Sequence, residues 1–287
     1  MKNIVLFGSG NGAKEYLLKI KDCNILAIFD NDTKKHGTSF EGIKIYSPSK
    51  INSFNFDEIV IVSQWVKDIY EQLINELKVD KEKIIIPAKK DIKEANRPFE
   101  DKKTRELGRN IIKEFSKLAM QDNIVLYLDF GTLLGIVRDK DIIEWDDDID
   151  FSVSNISKDL LDDWLKNIIK RVNLPVIIHI EDNKFGYIIT FINEKKEYNF
   201  FQISISFREN SGENSLHLPS KGMWYSPKIH FEKYDIINYQ GQDVFVPYDY
   251  ENYLTFLYGD WETPKKDISM ADYANLGKVE FNEFIKD

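Results

Sequence analysis

The sequence predicts an α/β domain at the N-terminus followed by an α+β domain, and three observations carry that expectation. The chain opens with an apolar run, a glycine turn and a helical stretch, and further short apolar runs follow as in a parallel sheet. Residues 89–104 are rich in charge, hold Pro98 and offer few apolar positions, which marks a linker. Beyond it, an amphipathic helix precedes a strand-like run crowded with aspartates.

Lys2 to Phe7 reads as a buried strand, and Gly8, Gly10 and Gly12 as the turn into a helix from Ala13 to about Lys21. A second strand from Asn24 ends in Asp30, at the distance where an acid meets a ribose hydroxyl in a dinucleotide-binding unit. Ile59 to Val62 and Ile84 to Ile86 flank a helix carrying Val66, Ile69, Leu73, Ile74 and Leu77. Residues 1–88 are therefore expected to form a doubly wound, Rossmann-like domain. The third glycine of the fingerprint is met only approximately, and no phosphate-loop Gly-Lys-Ser/Thr is present. The unit resembles the small Rossmann-like modules that accompany sugar-modifying transferases, which implies nucleotide-sugar binding or subunit pairing. Its candidate nucleotide-binding residues are Gly8, Gly10, Gly12 and Asp30, and NAD is not expected.

After the linker, Leu107, Ile111, Phe115 and Leu118 give a helix one apolar face, and Asn123 ends it. Phe130-Gly131-Thr132 then starts a short apolar helix, where bare backbone N–H groups can meet a phosphate. The run Asp146 to Val153 follows. If it is extended throughout, Asp146, Asp148 and Asp150 share one face, while Asp147, Ile149 and Phe151 point to the other. Three like charges in a partly buried cleft repel strongly, so they hold protons or a divalent ion. Oxygen-only ligands favour Mg2+ or Mn2+. Arg138 and Lys140, between the turn and the acids, are candidate phosphate contacts, Arg138 as a bidentate fork; the plainer alternative is a charged surface. Asp129 either faces the site or, the favoured reading, caps the helix, and Trp145 either stacks a base or sugar or, the favoured reading, joins the core. The four histidines lack ligand spacing and receive no catalytic part.

The order apolar-Gly-small, short helix, then Asp-x-Asp on a strand matches the nucleotidyltransferase fold. Leu128-Asp-Phe-Gly-Thr-Leu-Leu-Gly-Ile-Val-Arg138 followed by Trp145-Asp-Asp-Asp-Ile-Asp150 closely resembles the core of the LicD and fukutin-related phosphotransferases. Gln240 to Pro247 and Tyr253 to Trp261 resemble the closing strand and helix of that family, so the likeness spans about 105–265. It implies a catalytic domain over 105–287 that transfers a phospho-alcohol, of phosphocholine or polyol-phosphate type, from a CDP-linked donor such as CDP-choline to a glycan hydroxyl. In that role Asp146, Asp148 and Asp150 would hold the metal, Asp148, Asp150 and Arg138 would act in catalysis, and Gly131, Thr132 and Lys140 would bind substrate. One family feature is altered: the later strand, Phe200 to Phe207, has Gln202, Ser204 or Ser206 where an acid is usual, with Glu181 as a substitute. The general base is left open. Nucleotidyl transfer from an NTP and a non-catalytic scaffold remain alternatives.

A net charge of −9 and a pI near 5.2 argue against general nucleic-acid binding. No run approaches the length of a membrane helix, and Met1-Lys2 leads straight into a strand rather than a leader peptide. The expected location is the cytoplasm, with peripheral attachment at the inner face of the membrane as the alternative. The setting expected is bacterial surface polysaccharide, capsule or lipopolysaccharide, and a homo-oligomer could form through the N-terminal domain. Residues 206–235, polar and aromatic, read as a long connection that shapes the acceptor pocket.

Overall fold

The computed structural model describes residues 1–93, 96–266 and Tyr273. The chain divides into two compact units whose main spans are Met1–Ala95 and Asn96–Pro264. The part of the expected catalytic domain beyond residue 266 lies outside the described residues, Tyr273 excepted. Among the described residues, no helix is long and apolar enough to cross a membrane.

The first unit is a mixed α/β structure. It runs β1 (Lys2–Phe7), α1 (Asn11–Lys19), β2 (Cys23–Phe29), β3 (Ser39–Phe40), β4 (Ile43–Tyr46) and β5 (Glu58–Ile61), then α2 (Val66–Glu71), β6 (Ile84–Ile85) and α3 (Lys89–Ile92). The sheet order is β3-β4-β2-β1-β5-β6, parallel except for the β3–β4 pair. Val5, Leu6, Ala27, Ile28, Ile59 and Val60 are buried completely, as continuous apolar runs in a parallel sheet require. Two expectations need correction. The helix after β5 stops at Glu71 and passes into a π-helical turn, Gln72–Glu76. The linker is shorter than 89–104, because Lys89–Ile92 is helical and Ile92 packs on the core of this unit.

The second unit begins with α4 (Lys102–Gln121). Asp101 caps it by accepting from the Thr104 N–H at 2.8 Å, and Asn123 leaves it at φ +58°. Leu107, Ile111, Ile112, Phe115 and Ala119, at most 1% exposed, line its buried face. Then come β7 (Tyr127–Leu128), α5 (Phe130–Arg138), β8 (Asp148–Ser154), α6 (Lys158–Ile168), β9 (Ile177–Asn183), β10 (Gly186–Ile192) and β11 (Gln202–Ser211). The unit closes with β12 (Asn214–His217), β13 (Tyr225–Pro227), α7 (Ile229–Glu232), β14 (Tyr234–Tyr239), β15 (Gln242–Pro247) and α8 (Tyr250–Tyr258). Gly259, at φ +66°, stops α8.

These strands form one sheet in the order β13-β12-β11-β8-β7-β15-β14, with the β9–β10 hairpin joined to β11. β8 and β11 run parallel at its centre, and β11 shares its far edge between β10 and β12. Ile149, Phe151, Val153, Ile203 and Ile205 are fully buried on one face. Each such side chain contributes about 1.5–3 kcal/mol. The opposite face of the same strands carries the acids, so the core holds the site's floor rigid. Residues 206–235 prove not to be a loop: they contain the end of β11, then β12, β13 and α7, with Arg208, Ser226, His230 and Phe231 buried.

Candidate active site

β8 begins at Asp148, not at Asp146, and the alternation expected from Asp146 onward holds only from Asp148. Asp148 and Asp150 share the open face while Ile149 and Phe151 are buried. Asp146 comes to the site by another route, a turn closed by its own N–H on the Ile143 carbonyl at 3.0 Å. The Asp147 N–H donates to Asp146 Oδ1 at 3.1 Å. Carboxylate oxygens of Asp146, Asp147 and Asp148 consequently lie within 4.8 Å of one another. This corrects the sequence reading, in which Asp147 faced away: the turn folds its side chain toward its neighbours.

Asp150 lies one pleat further along the strand and is held on three sides. Its N–H donates to Thr132 Oγ1 at 2.9 Å, its carbonyl accepts from the Asp129 N–H at 3.1 Å, and Ser204 Oγ donates to its Oδ1 at 2.7 Å. Burial pushes the Asp150 carboxyl well above the ordinary aspartate range, and the charges of Asp148, Asp146 and Asp129 push it further, against the Ser204 hydrogen bond. Crowding of this kind is what a divalent cation relieves. The donor set, oxygen only and strongly acidic, fits Mg2+ or Mn2+.

Gly131 stands in the first turn of α5, directly against Asp146. A Cβ there would collide with Asp146 Oδ2, so glycine lets the backbone and the carboxylate meet. Thr132, buried, spends its hydroxyl on the Asp150 amide and thereby locks α5 to β8. Arg138 and Lys140 sit elsewhere. Seven residues of helix rise, about 10 Å, separate Arg138 from Gly131. The Arg138 guanidinium forks onto Asp139 at 2.8 and 2.7 Å, and Lys140 Nζ donates to the Val137 carbonyl at 2.8 Å. Both serve the C-terminal end of α5, the ordinary place for cations on a helix.

The register settles what replaces the missing acid. Gln202 stands beside Asp148, Ser204 beside Asp150 and Ser206 beside Ser152. Glu181 pairs with Ile188, which pairs with Ser204, so three strand spacings, about 14 Å, part Glu181 from Asp150. It is no substitute ligand.

The sequence reading missed Arg208 and saw only part of what Asp129 does. Asp129, expected as a cap, does accept from the Phe130 N–H at 2.8 Å, but it also forms a fully buried ion pair with Arg208 and accepts from Tyr253 and Ser152 hydroxyls. Arg208 carried one weak signal in the sequence, a cation directly after the alternating Ile203, Ile205 and Phe207 of β11. His217, beside it on β12, is driven down to about 3 by burial and the Arg208 charge, and stays neutral.

In the first unit Gly8, Gly10, Gly12 and Asp30 come together around a cavity of about 670 Å³ at the carboxyl ends of β1, β2 and β5, with Lys35 and Trp65 in its wall. Gly8 turns at φ +106°, and a Cβ on Gly12 would collide with the Val62 carbonyl. The Asp30 carboxylate is already engaged by the Ser9 N–H at 2.9 Å, the Ser9 hydroxyl and Lys35 at 3.2 Å. Burial raises its proton affinity, but Ser9, the Asp32 amide and Lys35 outweigh that and hold it below the usual range.

Comparison with known proteins agrees with this division. Residues 123–250 match the family model described as LicD/FKTN/FKRP, nucleotidyltransferase domain, and residues 1–85 match C2185-like, N-terminal. An uncharacterized protein of Rickettsia prowazekii (strain Madrid E), RP689, is 31% identical over 107 residues, 32% of this chain and 40% of that protein. The chain thus spans less than half the length of that relative. A solved structure, UDP-D-quinovosamine 4-dehydrogenase from Vibrio fischeri, is 26% identical over 28% of this chain and 74% of its own, with a TM-score of 0.24.

Proposed function

We propose, from the premise that residues 123–250 belong to the LicD/FKTN/FKRP nucleotidyltransferase-domain family and share its phosphotransferase-like role in glycan modification, that this protein transfers a phospho-alcohol from a CDP-linked donor to a glycan hydroxyl. The observation that carries the reading is the grouping of Asp146, Asp147 and Asp148, with Asp150 within reach of their charge and Asp146 against Gly131 at the start of α5. Asp146, Asp148 and Asp150 would hold Mg2+ or Mn2+, with Asp147 in reach. When bound, the ion neutralises the diphosphate and the charge that grows on the leaving phosphate.

The chain's own residues do the rest. Backbone amides at Gly131 and Thr132 orient the donor phosphate. The acceptor oxygen bonds to the phosphorus distal to the nucleoside, the bridging P–O bond breaks, and its electron pair leaves with CMP. The hydroxyl proton passes to a carboxylate of the cluster, Asp150 or Asp148. Arg138 and Lys140 are dropped from direct phosphate contact, because their partners lie at the other end of α5.

The N-terminal unit we read as Rossmann-like, its cavity taking a nucleotide or its surface pairing subunits. The occupied Asp30 speaks against an NAD ribose there. We place the protein in the cytoplasm or at the inner face of the membrane, acting on bacterial surface glycan.

The test is a set of CDP-linked alcohols incubated with acceptor glycan and Mg2+, followed for CMP. Wild-type protein should release CMP only with metal present, and Asp148→Asn should lose at least about a thousandfold while keeping its melting temperature. Pyrophosphate from an NTP instead of CMP would turn the reading to nucleotidyl transfer. Unchanged Mn2+ binding by Asp148→Asn would remove the metal site altogether.

A further inference from the structure

The ion pair between Asp129 and Arg208 is costly to bury, since both side chains are 0% exposed. Arg208 Nε and Nη2 donate to Asp129 Oδ2 at 3.0 and 2.7 Å, and Nη2 also reaches the Tyr253 hydroxyl at 2.9 Å. Tyr253 in turn donates to Asp129 Oδ1, and Ser152 to Oδ2. The guanidinium lies 4.0 Å from the Phe231 ring centroid and 5.2 Å from that of Phe130. A buried pair of this kind is weak evidence for stability, because apolar residues of equal volume do as well. Its geometry suggests a different use.

The residue next to it, Phe130, has φ +45°. For a bulky aromatic this left-handed conformation costs about 1–2 kcal/mol and persists only where the surroundings enforce it. Here the Asp129 carboxylate holds the Phe130 N–H at 2.8 Å, and the ring is edge-on to His217 and Trp224 with Arg208 over its face. The reversal at Phe130 turns the chain from β7 straight into α5, so that Gly131 abuts Asp146 and Thr132 reaches the Asp150 amide.

We propose that Arg208, acting through Asp129 and Tyr253, is a positioning residue that holds Phe130 in its left-handed turn and so fixes the Gly131–Thr132 amides against the aspartates. Its catalytic consequence rests on the transferase reading above; its structural content does not.

The experiment uses the full chain with Tyr253→Phe, which removes one oxygen, and Arg208→Lys, which keeps the charge but not the fork. Hydrogen exchange is measured at the amides of residues 130–132 and of α4, together with melting temperature, Mn2+ affinity and, with a CDP-linked donor, kcat and KM. Exchange at 130–132 should quicken about tenfold or more with α4 unchanged, and kcat should fall about tenfold with Mn2+ affinity nearly constant. Faster exchange throughout the unit, in step with a lower melting temperature, overturns the proposal, as does unchanged exchange at 130–132. Should Arg208→Lys not fold, Tyr253→Phe decides. Should wild type show no turnover with any CDP-linked donor, the transferase reading fails by itself and the exchange pattern still judges the turn.

Discussion

Asp150 is where charge, burial and chemistry meet in one side chain. Burial and the carboxylates of Asp148 and Asp146 raise its proton affinity in the native state above that of the unfolded chain. The native state therefore binds the proton more tightly, and the stabilisation is complete below the unfolded value and lost as pH rises through the native one. Metal-free protein should lose stability as pH rises above the ordinary aspartate range, and Asp150→Asn should flatten that slope. Mg2+ should restore stability at neutral pH in the wild type only. Thermal melts in chelator across this range, for both proteins, give the answer; an identical slope in the variant would assign the pH dependence to other groups.

At the scale of elements, two glycines at helix starts make opposite predictions. Gly131→Ala places a methyl against Asp146 Oδ2, the end of a side chain that can swing away. The helix gains about 0.5–1 kcal/mol in propensity, while Asp146 leaves the cluster and Mn2+ affinity falls about tenfold or more. Gly12→Ala meets the Val62 carbonyl, a backbone atom of the segment following β5 that cannot yield. Despite the same propensity gain, it should destabilise the first unit by about 1–3 kcal/mol. Denaturant titrations and Mn2+ binding on the two variants separate these outcomes. The elements themselves were legible in the sequence wherever apolar periodicity ran long: α4 and β1, β2 and β5 all lie where the pattern puts them. The aspartate run was legible as chemistry but not as geometry. Period-two alternation cannot reveal that a turn at residues 144–145 delivers Asp146 and brings Asp147 back. For Arg138 the sequence shows nearness to Gly131 but not that the rise of a helix stands between them, with Asp139 as its partner. Arg208 on β11 and Tyr253 on α8 are 45 residues apart and meet Asp129 only through the packing of strand and helix, a relation no local pattern encodes.

Across the whole molecule, each unit has its own buried core, the first built on Ile4, Leu6, Ile28 and Val60, the second on Phe115, Phe151, Ile203 and Leu254. A ligand that binds only the native form of one core stabilises that core by an amount set by its concentration over its dissociation constant, about 2.7 kcal/mol at a hundredfold excess. Mg2+ with a CDP-linked donor should therefore shift the thermal transition of the second unit upward and leave that of the first in place. Differential scanning calorimetry can assign the transitions, because Gly12→Ala lowers only the first and the core substitution Phe115→Leu only the second. In Asp148→Asn the upward shift should vanish while both transitions stay. A shift confined to the first unit would instead move the donor to the cavity walled by Gly8, Gly10 and Asp30, and leave the aspartates to a role other than diphosphate binding.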